Sequence, residues 1–300
     1  SIVKMINFEQ PMFRPPSEAN SLLIQATIGC SHNNCTYCAM YRQSNQKFRM
    51  RSEKEIFQII DENSDSSYKK AFIADGNALV LPTKLLTKTI DKIYKCNPNI
   101  NRVSIYGNVG DILRKKPSEL EELAVAGLDM VYIGFESGDD ITLKRIKKGA
   151  NKIKTIDAMK KLKKAGIKVS GMVLLGVGGK ERSFVHAYET ADMLSQGDPD
   201  YVGLLSLQVR PGAPIYEAWE KGNFELPDKF QILKELEIIA ENTVLTNGHF
   251  FSNHISNYLP IKAIYPGDKE KTVKKIKDIL SKKSESELRS EYYRDIVNQY

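Results

Sequence analysis

From Ser21 onward, short apolar runs alternate with segments in which apolar residues recur every three or four positions. Residues 22–27 read as a first strand that ends at Gly29-Cys30. Ser52-x-x-Glu55 is a capping box, and Ile56, Phe57, Ile59 and Ile60 give the helix it opens a buried face. Residues 71–74 form a second strand, stopped by Asp75-Gly76-Asn77, after which Leu86, Ile90, Ile93 and Tyr94 recur at helical spacing. The pattern repeats with a strand at 102–106 and a helix that Ser118-x-x-Glu121 is expected to cap and Gly127 to close. A fourth strand at 130–135 precedes a helix over 153–165, with Gly166 just past its end. A fifth, at 169–175, runs into Gly176-Val177-Gly178-Gly179 and a helix over 183–194. A sixth, at 201–209, breaks at Arg210-Pro211-Gly212, and a last amphipathic helix covers 229–241.

Six β–α units in succession imply parallel strands with right-handed crossovers. The near-continuous apolar character of the strands fits a sheet covered on both faces. Cys30, Asp75, Glu136, Gly176 and Arg210 all fall at or just past strand C-termini, the end at which barrel chemistry sits. The expected fold class is therefore α/β: a partial (β/α)6 TIM-type barrel of parallel strands with a C-terminal helical cap. Residues 1–20 read as an N-terminal arm and 21–226 as the barrel. Residues 227–300 hold the last helix, a polar-aromatic stretch at 247–260 and a Lys-rich helical end, and are expected to cover the barrel mouth.

Composition narrows the class. The 300 residues are 41% hydrophobic and 27% charged, which excludes a disordered or collagen-like chain. No apolar run approaches the ~18–20 residues of a membrane span, and residues 1–5 begin no long apolar segment of a signal peptide. The expected compartment is the cytoplasm. Lys and Arg outnumber Asp and Glu by 44 to 37, a net charge of +7. Much of the excess is Lys between Lys144 and Lys168, flanking an apolar stripe, which reads as a solvated helix face. A nucleic-acid patch would interleave Arg with aromatics, so nucleic acid is not the expected partner.

Three of the four cysteines lie in one nine-residue segment, Cys30-Ser-His-Asn-Asn-Cys35-Thr-Tyr-Cys38. Three soft thiolates can fill three corners of an iron–sulfur cube and leave one iron without a protein ligand, a docking position for a small molecule. Gly29 and the Asn33-Asn34 pair supply backbone conformations that let such a loop curve. A structural zinc site would need a fourth donor, here His32 or the distant Cys96, and would suit a zinc-stabilised nucleic-acid-binding module using the basic helix at 153–165. Spacing alone leaves both readings open. Cys96, at a helix end, reads as a partly buried thiol.

A first strand feeding a three-Cys loop with an aromatic before the last Cys (Tyr37-Cys38), inside a β/α repeat, resembles the radical S-adenosylmethionine (SAM) superfamily. The resemblance runs over residues 21–219, on the branch of oxygen-independent coproporphyrinogen dehydrogenase and the Elongator catalytic subunit. One departure is the four residues, Ser31 to Asn34, between the first two cysteines, where the family usually has three. A loop longer by one residue still reaches a cubane corner.

The resemblance implies a 4Fe–4S cluster on Cys30, Cys35 and Cys38, with SAM beside Tyr37. It implies that Asp75, Gly76 and Asn77 hold the SAM amino group and that Glu136 and Ser137 face its ribose or methionine part. Lys148 matches a basic position that pairs with the SAM carboxylate. Leu175 and Gly176 would pack on adenine, and Leu207, Gln208 and Val209 would complete that slot. The implied activity is reductive cleavage of SAM to a 5′-deoxyadenosyl radical that takes hydrogen from a small-molecule substrate. A low-potential donor such as flavodoxin or ferredoxin would supply the electron. A tRNA or a tetrapyrrole is the alternative target on this branch. Only Cys96 remains for an auxiliary cluster, which argues against sulfur insertion such as methylthiolation. Candidate substrate residues are Arg210, for an anionic group, and Asn253, His254 and Tyr258 in the polar-aromatic stretch, with His254 as a proton donor or acceptor.

Overall fold

The computed structural model describes residues 12, 14–32, 34–38, 47–254, 256–282 and 285–290. The Asn33 half of the expected Asn33-Asn34 turn lies outside the described residues. The chain forms two compact units.

The first unit takes in residues 1–33, 38–133 and 161–169. Its strands are β1 (Leu22–Gln25), a two-residue ribbon of β2 (Thr27–Ile28) and β3 (Arg49–Met50), β4 (Lys70–Ala74), β5 (Arg102–Tyr106) and the first part of β6 (Leu128–Glu136). β1 pairs parallel with β4, β4 with β5 and β5 with β6, with Leu22 opposite Ala71 and Ala71 opposite Val103. The helices are α1 (Glu53–Asn63), α2 (Thr83–Cys96), α3 (Val109–Arg114) and α4 (Pro117–Ala126). α1 starts where expected: Ser52 accepts from the Glu55 amide and Glu55 reaches back to the Ser52 amide. α4 starts earlier than the Ser118-x-x-Glu121 pattern predicts. Pro117 fits the first helical position, where its missing N–H costs nothing, so Lys116 becomes the cap and Glu119, not Glu121, accepts the returning amide at 3.0 Å. Gly127 closes α4 in the left-handed region (φ 109°), and a Cβ there would strike the Tyr94 ring, whose hydroxyl donates to the Gly127 carbonyl at 2.7 Å. Leu22, Ile24, Phe72, Ile73 and Ile105 fill the core with Ile59, Ile60, Ile90 and Ile93 from the helices.

The second unit holds residues 34–37, 134–160 and 170–300. It contains α5 (Asp140–Arg145), most of α6 (Lys152–Lys164), most of β7 (Lys168–Leu175), α7 (Gly179–Gly197), β8 (Tyr201–Ser206), α8 (Pro214–Glu220), α9 (Lys229–Asn242), β9 (Gly248–Phe251), β10 (Lys262–Tyr265) and α10 (Lys269–Lys282). β7 buries Val169, Gly171, Val173 and Leu175 in alternation. A Cβ on Gly171 would enter the Phe135 ring, so the glycine is what admits that ring. α9 packs on both α7 and α10.

The hydrogen-bonded strand order is β1-β4-β5-β6-β7-β8-β9-β10. β7 pairs parallel with β8 and β8 with β9, while β10 runs antiparallel to β9. The fold is α/β with a mostly parallel eight-stranded sheet, of the kind found in partial TIM-type barrels. The C-terminal extension adds to expectation here, because the polar-aromatic stretch contributes β9 and the residues just past it β10, alongside the helices. Phe250 and Tyr265 stack across that pair with ring centres 5.0 Å apart, a cross-strand aromatic contact that adds to the pairing of β9 with β8 and β10.

Candidate active site

The cysteine segment leaves β2 through Gly29, which sits at φ 75°, a conformation that favours glycine. The Gly29 amide donates to Asp75 Oδ2 at 3.3 Å and the Ser31 amide to Asn77 Oδ1 at 3.1 Å. Asn77 Nδ2 in turn donates to Ser31 Oγ at 2.5 Å and to Asp111 Oδ2 at 2.8 Å. Between these two side chains lies Gly76, where a Cβ would stand 2.7 Å from the Gly29 carbonyl oxygen and 2.8 Å from Cys30 Cβ. Asp75-Gly76-Asn77, just past β4, is thus a cradle for the backbone around Cys30. Asp75 and Asn77 are fully buried in that task. Asp111, on α3, was not expected from the sequence. Its only signal is a carboxylate in the first turn of a short helix whose Val109 and Ile112 are buried.

The later part of the segment is anchored within the second unit. The Thr36 amide donates to the Ile146 carbonyl at 2.9 Å, and the Ile215 amide to the Thr36 carbonyl at 2.9 Å. The Tyr37 ring packs against Leu143, Ile146 and Val177. Its hydroxyl donates to Glu136 Oε1 at 2.8 Å, and Lys148 Nζ donates to the same oxygen at 3.2 Å and lies 3.3 Å from the hydroxyl. Glu136 ends β6 in the left-handed region (φ 62°), which turns its buried carboxylate toward this pair. Gly134 is required beside it, since a Cβ there would come 2.4 Å from Glu136 Oε1. Three residues expected from separate motifs therefore meet at one oxygen.

Cys30, Cys35 and Cys38 are each half-buried, and none of the four cysteines is in a disulfide. Three thiols with partial access are a fitting donor set for an iron–sulfur cluster that keeps one iron open. Among the described residues, no group of three or more His, Cys, Asp or Glu side chains is gathered where it could hold a single metal ion, the arrangement a zinc site needs. An iron–sulfur cube is several atoms wide, so its thiolates need not converge on one point.

Other expected residues turn away into the protein. Ser137 is fully buried; its Oγ lies 2.6 Å from His186 Nδ1 and accepts from the Asp139 amide at 3.0 Å. The Gly176 amide, at the end of β7, donates to Glu235 Oε1 at 2.9 Å, while Ser183 Oγ donates to Glu235 Oε2 at 2.6 Å. His186 Nε2 stands 3.4 Å from Glu235 Oε1 without making a hydrogen bond to it. Burial holds the His186 pKa down at about 4 and pushes the Glu235 carboxyl up to about 7. This network is barely legible in the sequence. Its one signal is Ser183, His186 and Thr190 sharing the face of α7 that carries Ala187 and Ala191.

β8 ends at Ser206, three residues before the expected limit; the Leu207 amide, donating to the Leu175 carbonyl at 2.8 Å, makes the last rung with β7. Leu207 is buried with Leu175, Gln208 and Val209 are half-buried loop residues, and Arg210 donates to Gln208 Oε1 at 2.8 Å. Of the candidate substrate residues in the tail, Asn253 is exposed, His254 half-buried and Tyr258 buried. A cavity of about 800 Å³ within the second unit is lined by Thr36, Ile146, Val177, Lys180, Ile215 and Phe224.

Residues 24–194 match the family model of the Radical SAM superfamily. A putative methylthiotransferase of Methanocaldococcus jannaschii is 28% identical over 176 residues, 57% of this chain and 36% of the relative. An uncharacterised protein of the same organism is 26% identical over 281 residues, 90% of this chain and 79% of the relative. A tRNA uridine(34) acetyltransferase of Methanocaldococcus infernus is 25% identical over 157 residues, 51% of this chain and 28% of the relative. Among solved structures, the radical SAM methyltransferase TsrM from Kitasatospora setae, with cobalamin and a [4Fe-4S] cluster bound, superposes with a TM-score of 0.55 at 17% identity, over 67% of this chain and 39% of that one. The chain thus spans about a third of the methylthiotransferase and less than half of TsrM. The family match takes in the three cysteines, the cradle beneath Cys30 and the Tyr37–Glu136–Lys148 cluster, and it covers more than half of the chain. The chain belongs to the radical SAM superfamily, enzymes that bind a 4Fe–4S cluster and SAM.

Proposed function

We propose that this protein reductively cleaves SAM and uses the product to take a hydrogen atom from a small molecule. The observation that carries the reading is the donor set: three half-buried thiols in nine residues, braced at one end by Asp75 and Asn77 and at the other by Tyr37. Cys30, Cys35 and Cys38 would hold the cluster. When bound and reduced, cluster and SAM together supply homolysis of the S–C5′ bond and a 5′-deoxyadenosyl radical.

The chain's own work is to bind, orient and exclude water. Asp75, Gly76 and Asn77 keep the Cys30 backbone fixed, and the same turn is the proposed seat of the SAM amino group. Glu136 and Lys148 already neutralise one another, so together they offer an acceptor and a donor for the polar methionine or ribose part. Ser137, locked to His186, supports that seat from behind. Leu175, Gly176, Leu207, Gln208 and Val209 are proposed to flank adenine, with Glu235 holding the Gly176 amide in place. Arg210, Asn253, His254 and Tyr258 are the proposed substrate side. Residues 227–300 would shield that side from water, which a radical step requires.

A low-potential electron donor such as a flavodoxin or ferredoxin is the proposed partner. The cytoplasm is the proposed setting; no helix among the described residues is long and apolar enough to cross a membrane. The relatives are named for methylthio transfer and tRNA acetylation, and these activities differ too much for either to be carried to this chain. The test is a Cys35→Ala variant reconstituted anaerobically with iron, sulfide, SAM and dithionite. Loss of 5′-deoxyadenosine formation is expected, and undiminished formation overturns the reading.

A further inference from the structure

The loop after β9 is fastened to the C-terminal end of β8. The Ser206 amide donates to Ser256 Oγ at 3.1 Å and Ser206 Oγ to Asn257 Oδ1 at 2.7 Å. Asn257 Nδ2 donates to the carbonyls of Leu204, at 2.6 Å, and Ser252, at 2.9 Å. His254 is carried on this loop. Its Nδ1 accepts the Ser256 amide at 3.1 Å and lies 2.8 Å from Ser256 Oγ. A ring nitrogen that accepts a backbone N–H carries no proton, so the imidazole proton resides on Nε2. Nε2 makes no hydrogen bond to a described residue, and His254 is half-buried.

Arg289 holds the other side of the loop. Its Nη1 donates to the His254 carbonyl at 2.6 Å and lies 3.5 Å from the Asn257 carbonyl, and its Nη2 donates to Asn253 O at 3.2 Å. Its backbone amide donates to the Tyr258 carbonyl at 2.8 Å. One residue thereby satisfies carbonyls at both ends of the turn that carries His254. Burial, helped by the positive charge of the same guanidinium, holds His254 below the usual histidine range, so the ring is neutral at pH 7.

We propose that His254 presents a fixed Nε2–H donor to an acceptor oxygen of the substrate, a carboxylate or carbonyl, and that Arg289 is the positioning residue that sets this donor. The inference rests on the proposed function, since it assigns a place to that reaction's substrate. The C-terminal ends of parallel strands are where α/β folds bind ligands. A half-buried N–H with no partner among the described residues, beside a guanidinium, is matched to an oxygen bearing negative charge. It also narrows the role of His254: a ring with Nδ1 occupied by an amide donates a hydrogen bond and does not shuttle a proton.

The test uses the full chain labelled with ¹⁵N-histidine. His254 is identified among the four histidines by the His254→Asn variant. Expected is an Nε2–H tautomer for His254 from pH 6 to pH 8, and a shift of its resonances on adding acetate as an oxyanion probe. Arg289→Lys keeps the charge but loses the forked contact, so the acetate affinity read at His254 should fall about tenfold and the tautomer should become mixed. Arg289→Ala should do the same and raise the His254 titration midpoint. An Nδ1–H tautomer, no acetate response at His254, or a response unchanged in Arg289→Lys overturns the proposal. SAM cleavage by the parent protein is measured separately; its absence counts against the proposed function and leaves the His254 result standing.

Discussion

The Tyr37 hydroxyl donates to Glu136 Oε1 at 2.8 Å, tying the residue before Cys38 to the last residue of β6. Lys148 shares that oxygen at 3.2 Å. Tyr37→Phe keeps the ring among Leu143, Ile146 and Val177 but removes the tie. The expected cost is about 1–2 kcal/mol of stability in the cofactor-free protein. Iron retained after reconstitution should fall with it. Urea midpoints and iron analysis of the variant check both.

Gly76 leaves no room for a side chain against Cys30. Gly76→Ala must therefore displace either the Gly29 carbonyl or Cys30 itself. Far-UV circular dichroism should stay near that of the parent, because the helices and sheet are untouched. Iron bound per chain should drop by more than half. Unaltered iron content would show that the cradle is not what fixes Cys30.

His186 and Glu235 give opposite pH limbs. A histidine held down at about 4, against an ordinary 6.5, contributes stability above pH 6.5 that is lost as pH falls through 4. A carboxyl pushed up to about 7, against 4.5, contributes stability below pH 4.5 that is lost as pH rises through 7. Glu235→Gln removes the second limb while its side-chain oxygen still accepts the Gly176 amide and its amide faces Ser183. Between pH 5 and pH 8 the parent should lose roughly 2–3 kcal/mol through this group, and the variant much less. Urea midpoints at the two pH values decide it; equal slopes in parent and variant would place the ionisation elsewhere.

Much of the fold was legible because its signals are local and repeated. The capping box at Ser52, the glycine after Ala126 and the β-branched strand runs each report a backbone preference that no tertiary contact overrides. α4 shows the limit, where Pro117 outweighed a well-formed Ser118-x-x-Glu121 pattern. β9 and β10 were not legible: Gly248-His249-Phe250-Phe251 shows no polar–apolar alternation, and the four residues Lys262–Tyr265 are too few to set a period. At the site, the sequence marked Tyr37, Asp75, Asn77, Glu136 and Lys148 but not which of them meet. That Asp75 and Asn77 grip the cysteine segment, and that Glu136 joins Tyr37 to Lys148, follows only from contacts between residues 46 to 111 positions apart. Arg289 was invisible for the same reason: it acts on carbonyls, which every sequence has.

The most direct test of the central claim is anaerobic reconstitution of the full chain, with iron, acid-labile sulfide and zinc measured before SAM and dithionite are added. About four irons and four sulfides per chain are expected, with 5′-deoxyadenosine that forms only with reductant. A single zinc per chain, with no sulfide and no 5′-deoxyadenosine, would contradict that claim.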